Sequence, residues 1–288
     1  MTESAGPALL ERIQAQMRAV AHRHYEVVAL PPFTLFFHDS DPLPYFNYAI
    51  PDGPVEPSPD LTASLARLEA EFRIRRRVPR FEFVEACAPT LGEALEAHGF
   101  ARENRAQLMV CPRGSERSVP AVSGLDVAVL DAKTELGEFA AFLDVQRRAF
   151  SFPSPRPASD EDALCLRETL GGGCAFLGRI GGKPVATAMI QAPLDGLTEL
   201  VGVATLEAFR RRGIGAFLSS AAVRAAFVRG ASLAFLSAAD AHAGRVYEAA
   251  GFSPVGHALS YRSREGAEST PEIGEATDAT TRTRFSSG

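Results

Sequence analysis

The chain has 288 residues, with 30 Lys and Arg against 35 Asp and Glu, for a formal net charge of −5. That balance gives no electrostatic reason to expect a nucleic-acid partner. No apolar run is long enough to span a bilayer, and the start lacks a basic, apolar, small-residue signal, so a soluble cytoplasmic protein without a membrane partner is expected.

Cys87, Cys111, Cys165 and Cys174 are scattered with no Cys-x-x-Cys pair, so they read as small apolar fillers in a reducing compartment, with no metal site implied. The length suits one large domain or two smaller ones.

Taken in order, Pro7–His24 reads as a helix with Leu9, Leu10, Ile13 and Met17 on one face. Extended segments follow at Tyr25–Leu30, Phe33–His38 and Tyr45–Ile50, separated by Pro31-Pro32 and by Asp39-Ser40-Asp41-Pro42. Phe33, Phe36, Phe37, Tyr45, Phe46 and Tyr48 are expected to pack a core. A helix capped by Asp60 or Thr62 runs to about Arg76, with Leu61, Leu65, Leu68 and Phe72 as its stripe. Phe81–Ala86 is strand-like, Thr90–His98 helical and Gln107–Cys111 extended. Residues 113–124 are polar and rich in Gly, Pro and Ser, and read as a linker between a domain at 1–112 and another at 125–262.

After the linker the pattern restarts. Leu125–Leu130 is a strand, Leu136–Phe150 a helix, and Ser151–Pro157 an irregular loop. Asp160–Leu170 is a second helix. Cys174–Ile180 and Pro184–Gln191 form a hairpin across Gly181-Gly182, whose positive φ values suit a tight turn. Leu197–Val203 is the next strand. The Ala-rich stretch through Arg229 is a helix that Gly230 stops. Leu233–Ser237, a helix at Ala243–Ala250 and a strand at Pro254–Tyr261 complete the set. Residues 263–288 have little apolar content and are expected to be disordered. An internal echo links Phe81–Val84 and Leu95–Phe100 with Leu233–Leu236 and Tyr247–Phe252, each a strand, a helix and a Gly-Phe pair.

The stretch from Val203 through Arg210-Arg211-Arg212-Gly213-Ile214-Gly215-Ala216 is a strand, a basic Gly-bearing loop and a helix start. Glycines let the backbone approach a ligand, and the first helical turn has free N–H donors that favour an anion. The loop lacks the Gly-Lys-Ser/Thr ending of a nucleoside-triphosphate loop. It also lacks the third glycine of a dinucleotide fingerprint, where Leu218 stands.

The spacing Arg210-x-x-Gly213-x-Gly215 after Gly202-Val203-Ala204-Thr205 resembles the acetyl-CoA motif of the GNAT superfamily of N-acetyltransferases. Arg245-Val246-Tyr247-Glu248-Ala249-Ala250-Gly251-Phe252 resembles that family's second motif. The resemblance covers about 125–261. It implies an α/β fold with a mixed sheet flanked by helices, and two tandem GNAT-like halves of which the first is degenerate. It also implies acetyl-CoA as cosubstrate and a small-molecule or peptide amine that attacks it directly.

By the same resemblance Val203, Ala204 and Thr205 meet the pantetheine arm and thioester carbonyl. Arg211, Arg212, Gly213, Ile214, Gly215 and Ala216 offer backbone N–H groups to the pyrophosphate, with Arg210 opening the motif. The arginine side chains either reach CoA phosphates or are solvated. Tyr247 stands where the family often has the acid that protonates the leaving thiolate, or else is a core tyrosine. Glu199 stands at the register of a general base, with His242 as its rival. Strand alternation places Glu199, Val201 and Val203 on one face. Asp240 stands near the family's asparagine, and caps the next helix in either case. Two further readings are a non-catalytic acyl-CoA-binding sensor and an N-terminal half that docks a protein substrate.

Overall fold

The computed structural model describes residues 6–39, 42–150 and 156–264. Most of the loop 151–157 and of the tail expected to be disordered, 263–288, lies outside the described residues. The chain divides into two compact units, one running to Gln107 and resuming at Val255, the other spanning Leu108–Pro254.

The first unit opens with helix α1 (Pro7–His24), then a hairpin of β1 (Glu26–Leu30) and β2 (Phe33–Phe37). It continues through β3 (Tyr48–Pro51), α2 (Pro59–Ile74), β4 (Arg80–Val84), α3 (Leu91–Ala97) and β5 (Phe100–Pro112). α1 buries Leu10, Ile13, Met17, Val20 and Ala21, the stripe its periodicity announces. α2 is capped by neither Asp60 nor Thr62. Ser58 Oγ accepts the Leu61 N–H at 3.1 Å, and Pro59 fills the first turn, where a missing N–H costs nothing. A 3-10 turn at Pro44–Phe46 takes the first residues of the expected strand Tyr45–Ile50. Phe33, Phe36, Phe37, Phe46 and Tyr48 are buried as core, while Tyr45 is half-buried under the Arg80 guanidinium, 5.4 Å from its ring centroid. Fully buried Arg80 is balanced by Glu82 at 2.6 Å and Glu103 at 2.5 Å.

The second unit holds the end of β5, then β6 (Leu125–Leu130), α4 (Leu136–Ala149), α5 (Asp160–Leu170) and the hairpin of β7 (Cys174–Ile180) and β8 (Lys183–Ile190). Strand β9 (Leu197–Thr205), α6 (Ile214–Val228), β10 (Leu233–Ala238) and α7 (Ala241–Glu248) follow. Strands β6 to β9 pair antiparallel in sequence order, and β10 then pairs parallel to β9. One core lies under α4 and α5, with Phe139, Phe142, Leu166, Met189 and Val201. The other lies under α6 and α7, with Leu200, Val203, Leu218 and Tyr247.

Two boundaries differ from the sequence reading. The last strand, β11 (Ser253–Ser263), was grouped with 125–262, yet from Val255 onward it belongs to the first unit. It pairs antiparallel with β4, Leu259 opposite Phe83, and the Tyr261 ring stacks on Phe83 at 6.2 Å. Alternation identifies a half-buried strand but not its partner edge.

The segment 113–124 is not a free linker either. The Arg113 N–H donates to Ser232 O at 2.9 Å, and its guanidinium donates to the carbonyls of Phe227 and Ala231 at the end of α6. The Arg117 N–H donates to Ala250 O at 3.0 Å, and the Arg117 carbonyl accepts from Ser220 Oγ at 2.6 Å.

Candidate active site

Strand β9 does not keep strict alternation, which corrects the expectation that Glu199, Val201 and Val203 share a face. Val201 stands opposite Met189 and Ala204 opposite Thr187, so Gly202 and Val203 together oppose Ala188. That is a β-bulge, and Gly202 sits at φ +62°, a conformation glycine adopts without penalty. Val201 therefore packs under α4 and α5, while Val203 turns to the α6 core. The Gly202 carbonyl accepts from Thr187 Oγ1 at 2.9 Å and from Gln146 Nε2 at 3.2 Å. Both donors are buried, at 0% and 3% exposure, so the bulge is held from inside.

Beyond the bulge the sheet opens. The parallel pairing of β9 with β10 runs only from Leu197 and Leu233 to Glu199 and Phe235, although both strands continue. A cleft of about 200 Å³ lies at this end of the strands. Val203, Ala204 and Thr205 form one wall. The turn and first residues of α6 form a second, with Arg210, Arg211, Gly213, Ile214, Gly215 and Ala216. Ala243, Val246 and Tyr247 of α7 form a third.

The α6 wall is shaped by backbone conformation. Arg211 at φ +63° and Gly213 at φ +80° are both left-handed, so the chain turns sharply into the helix. The first bond of α6 runs from the Phe217 N–H to Gly213 O at 3.0 Å, which leaves the N–H groups of Ile214, Gly215 and Ala216 ahead of the helical ladder. A Cβ added to Gly215 would already stand 3.5 Å from Val246 Cγ1, so any longer side chain has to enter the cleft or displace α7.

The three arginines separate by role. Arg210 is engaged within the protein: its Nε donates to Thr205 O at 3.1 Å and its Nη2 to Ala149 O at 3.4 Å. Arg211 lines the cleft and is exposed. Arg212 is exposed outside the lining, with its guanidinium 5.3 Å from the Phe209 ring centroid.

Tyr247 is 1% exposed and belongs to the core as well as the cleft, with its ring 6.1 Å from that of Phe252. Glu199 is 4% exposed and outside the lining. Asp240 is exposed and accepts the Ala243 N–H at 2.8 Å, which is the expected cap and no part of the cleft wall.

In the first unit the corresponding parallel pair, β3 and β4, is filled from α1. Gln14 Nε2 donates to Pro51 O at 3.4 Å and Gln14 Oε1 accepts the Val84 N–H at 2.9 Å. Arg18 donates to Pro51 O and to Asp52 at 2.7 Å. The passage to α2 carries Pro51, Pro54, Pro57 and Pro59, which have no N–H to offer an anion.

The acetyltransferase (GNAT) family model matches residues 139–252, which include every wall of this cleft. Residues 139–252 form a GNAT domain. A GCN5-related N-acetyltransferase from Kribbella flavida is 28% identical over 88% of this chain and 95% of its own, with a TM-score of 0.73. One from Sphaerobacter thermophilus is 18% identical over 97% of this chain and 98% of its own, TM-score 0.63. A tandem GNAT protein from the clavulanic acid biosynthesis pathway is 13% identical, covering 90% of this chain and 96% of its own, TM-score 0.59. These last two likenesses are of fold, and the tandem one matches an architecture of two GNAT-like halves. No protein of curated function matches the sequence significantly.

The GNAT domain is that of an acyltransferase family, and such a domain passes its acyl group to an acceptor. No helix among the described residues is long and apolar enough to cross a membrane. The domain also contributes Ala149, Phe150, Phe209, His242 and Val246 to the cleft, which sequence reasoning did not place there. Val246 was legible in principle, since it neighbours Tyr247 and lies three residues past Ala243 on a short helix. His242 is exposed and accepts from Arg245 Nη2 on its Nδ1 at 2.6 Å.

Proposed function

We propose that the second unit moves an acetyl group from acetyl-CoA to a primary amine by direct attack. The observation that carries this reading is the free N–H row of Ile214, Gly215 and Ala216 beside the bulge at Gly202-Val203. Left-handed Arg211 and Gly213 point a concave run of amides toward the cleft, a fit for the oxygens of a pyrophosphate. Acetyl-CoA, when bound, supplies a thioester carbonyl, and the Val203–Thr205 backbone is the donor set for the oxyanion that develops on it.

The amine reaches the site as an ammonium and must lose a proton. Glu199 lies four residues, roughly 13 Å of extended strand, ahead of Val203. In this reading it takes the proton through intervening water. The amine nitrogen forms its bond to the acetyl carbon, the carbon–sulfur bond breaks, and Tyr247 donates a proton to the departing sulfur.

The cysteines support direct attack over an acyl-enzyme. Burial pushes the thiols up to about 11 at Cys87 and Cys174 and about 12 at Cys111, and burial also raises Cys165. None of the four lines the cleft. The test is an acceptor screen with acetyl-CoA, reading CoA release. Amine-dependent release with a mass gain of one acetyl group on the amine is the expected result. Tight acetyl-CoA binding with no release for any amine would favour the sensor reading.

A further inference from the structure

At the far end of β9 from the cleft, a buried polar pair has no structural explanation in the fold. Gln191 follows β8 directly and is 5% exposed. Its backbone N–H donates to Glu199 O at 3.1 Å, and its carbonyl accepts from Thr198 Oγ1 at 2.7 Å. The backbone is thus fully used, but the side-chain amide is not. Neither Gln191 Oε1 nor Nε2 has a hydrogen-bond partner among the described residues. A buried primary amide has two donors and an acceptor to satisfy, and natural cores rarely leave all of them idle.

Register places this amide. Met189 opposes Val201, and both face α4 and α5. Gln191 and Glu199 stand two residues further along the same antiparallel pair, so they share that face. On the other side of Glu199, parallel β10 puts fully buried Phe235 in register with it. Gln191, Glu199 and Phe235 therefore form a row across three adjacent strands: an amide, a carboxylate and an apolar end.

We infer that Gln191 and Glu199 form the acceptor seat, and that it takes a primary amine bearing an oxygen one or two carbons from its nitrogen. This rests on the acetyl-transfer reading above and names the acceptor class for it. The ammonium lies between the Glu199 carboxylate and Gln191 Oε1. The Gln191 Nε2 hydrogens donate to the acceptor's own oxygen. An amine without that oxygen leaves the amide donors unsatisfied, which is the condition under which a hydrogen-bonding site discriminates strongly.

The experiment uses the full-length protein saturated with CoA. It is titrated calorimetrically with 2-aminobutan-1-ol and with 3-aminopentane, a pair that differs by a hydroxyl in place of a methyl. The wild type should bind the amino alcohol at least about tenfold more tightly. Gln191→Met, close in volume, and Gln191→Leu should bring the two affinities together with acetyl-CoA affinity unchanged. The unliganded variants should also melt higher than the wild type, because replacing an unsatisfied buried amide with an apolar group removes a penalty.

Equal wild-type affinities, no binding of either amine, or a lowered melting temperature in both variants would overturn the inference. CoA release from acetyl-CoA with the same two amines separates the two readings. Selective binding without release counts against acetyl transfer and not against the seat. Release that the Gln191 variants leave unchanged counts against the seat and not against transfer.

Discussion

Gln146, on the fourth helix, donates its side-chain amide to the backbone carbonyl of Gly202, 3.2 Å away on a strand at the edge of the cleft. With Thr187 on the same carbonyl, two buried side chains hold the one irregular point of β9. The bulge decides that Val203 faces α6 and the cleft, so these two side chains orient the proposed oxyanion donors without touching substrate.

Gln146→Leu with Thr187→Val should lower kcat by about tenfold to a hundredfold, the scale set by a misplacement of about 1 Å. The acetyl-CoA KM should change little, since the N–H row of α6 is untouched. The double variant should also lose about 1–3 kcal/mol of stability, because the Gly202 carbonyl is left without partners. Unchanged kcat in a variant with that stability loss would make the clasp structural alone.

Most of the fold is visible in residue pattern. The helices at Pro7–His24 and Asp160–Leu170 and the strand at Leu125–Leu130 fall where periodicity puts them. What escaped was non-local or irregular. Phe100–Gln107 reads as polar because successive charges alternate along a strand with one wet face, so β5 begins seven residues before its expected start. The partner of β11 depends on which aromatic edge is open, as Phe83 is to Tyr261, and no local pattern carries that. The Gly202 bulge breaks the alternation used to group Glu199 with Val203, and the glycine inside an apolar strand was its only signal. The cleft walls were legible because the loop motif fixes backbone geometry locally. Gln191 gave no signal at all, since its meaning lies in the empty hydrogen-bonding capacity around it.

Tyr247→Phe tests the proton donor. The ring and its contact with Phe252 remain, so packing should hold. Loss of a general acid typically costs about 10²–10⁴-fold, and the lower end is expected because a thiolate is a fair leaving group. The measured signature is a reduced kcat with nearly constant acetyl-CoA KM. A raised KM alone would make Tyr247 a binding residue.

Asp162 should set part of the acid stability of the second unit. Burial works to raise its pKa, but the Ser159 N–H and the guanidinium groups of Arg147 and Arg156 outweigh it and hold the carboxyl at about 2. A folded-state value below the unfolded one contributes stability above pH ~4, which is lost as pH falls toward 2. Asp162→Asn should cost about 2 kcal/mol at pH 7 and almost nothing near pH 2. Urea unfolding of both proteins at the two pH values measures it. An equal cost at both would assign the loss to packing.

Native-state alkylation tests the exclusion of a thiol nucleophile. The raised thiols of Cys87, Cys111 and Cys174 leave little thiolate at pH 7.5. Iodoacetamide at that pH should leave amine-dependent CoA release intact, with mass spectrometry reporting the label. Inactivation in step with labelling of one cysteine would point to an acyl-enzyme.

The central claim is that the turn into α6 holds the pyrophosphate of acetyl-CoA. Gly215→Glu puts a negative side chain where only backbone now stands, with Val246 already 3.5 Å from the Cβ position. The decisive measurement is calorimetric titration of acetyl-CoA into the wild type and into Gly215→Glu, with melting curves to show that both are folded. Saturable binding by the wild type and none by the folded variant is the predicted result. Equal affinity in the two folded proteins would contradict it.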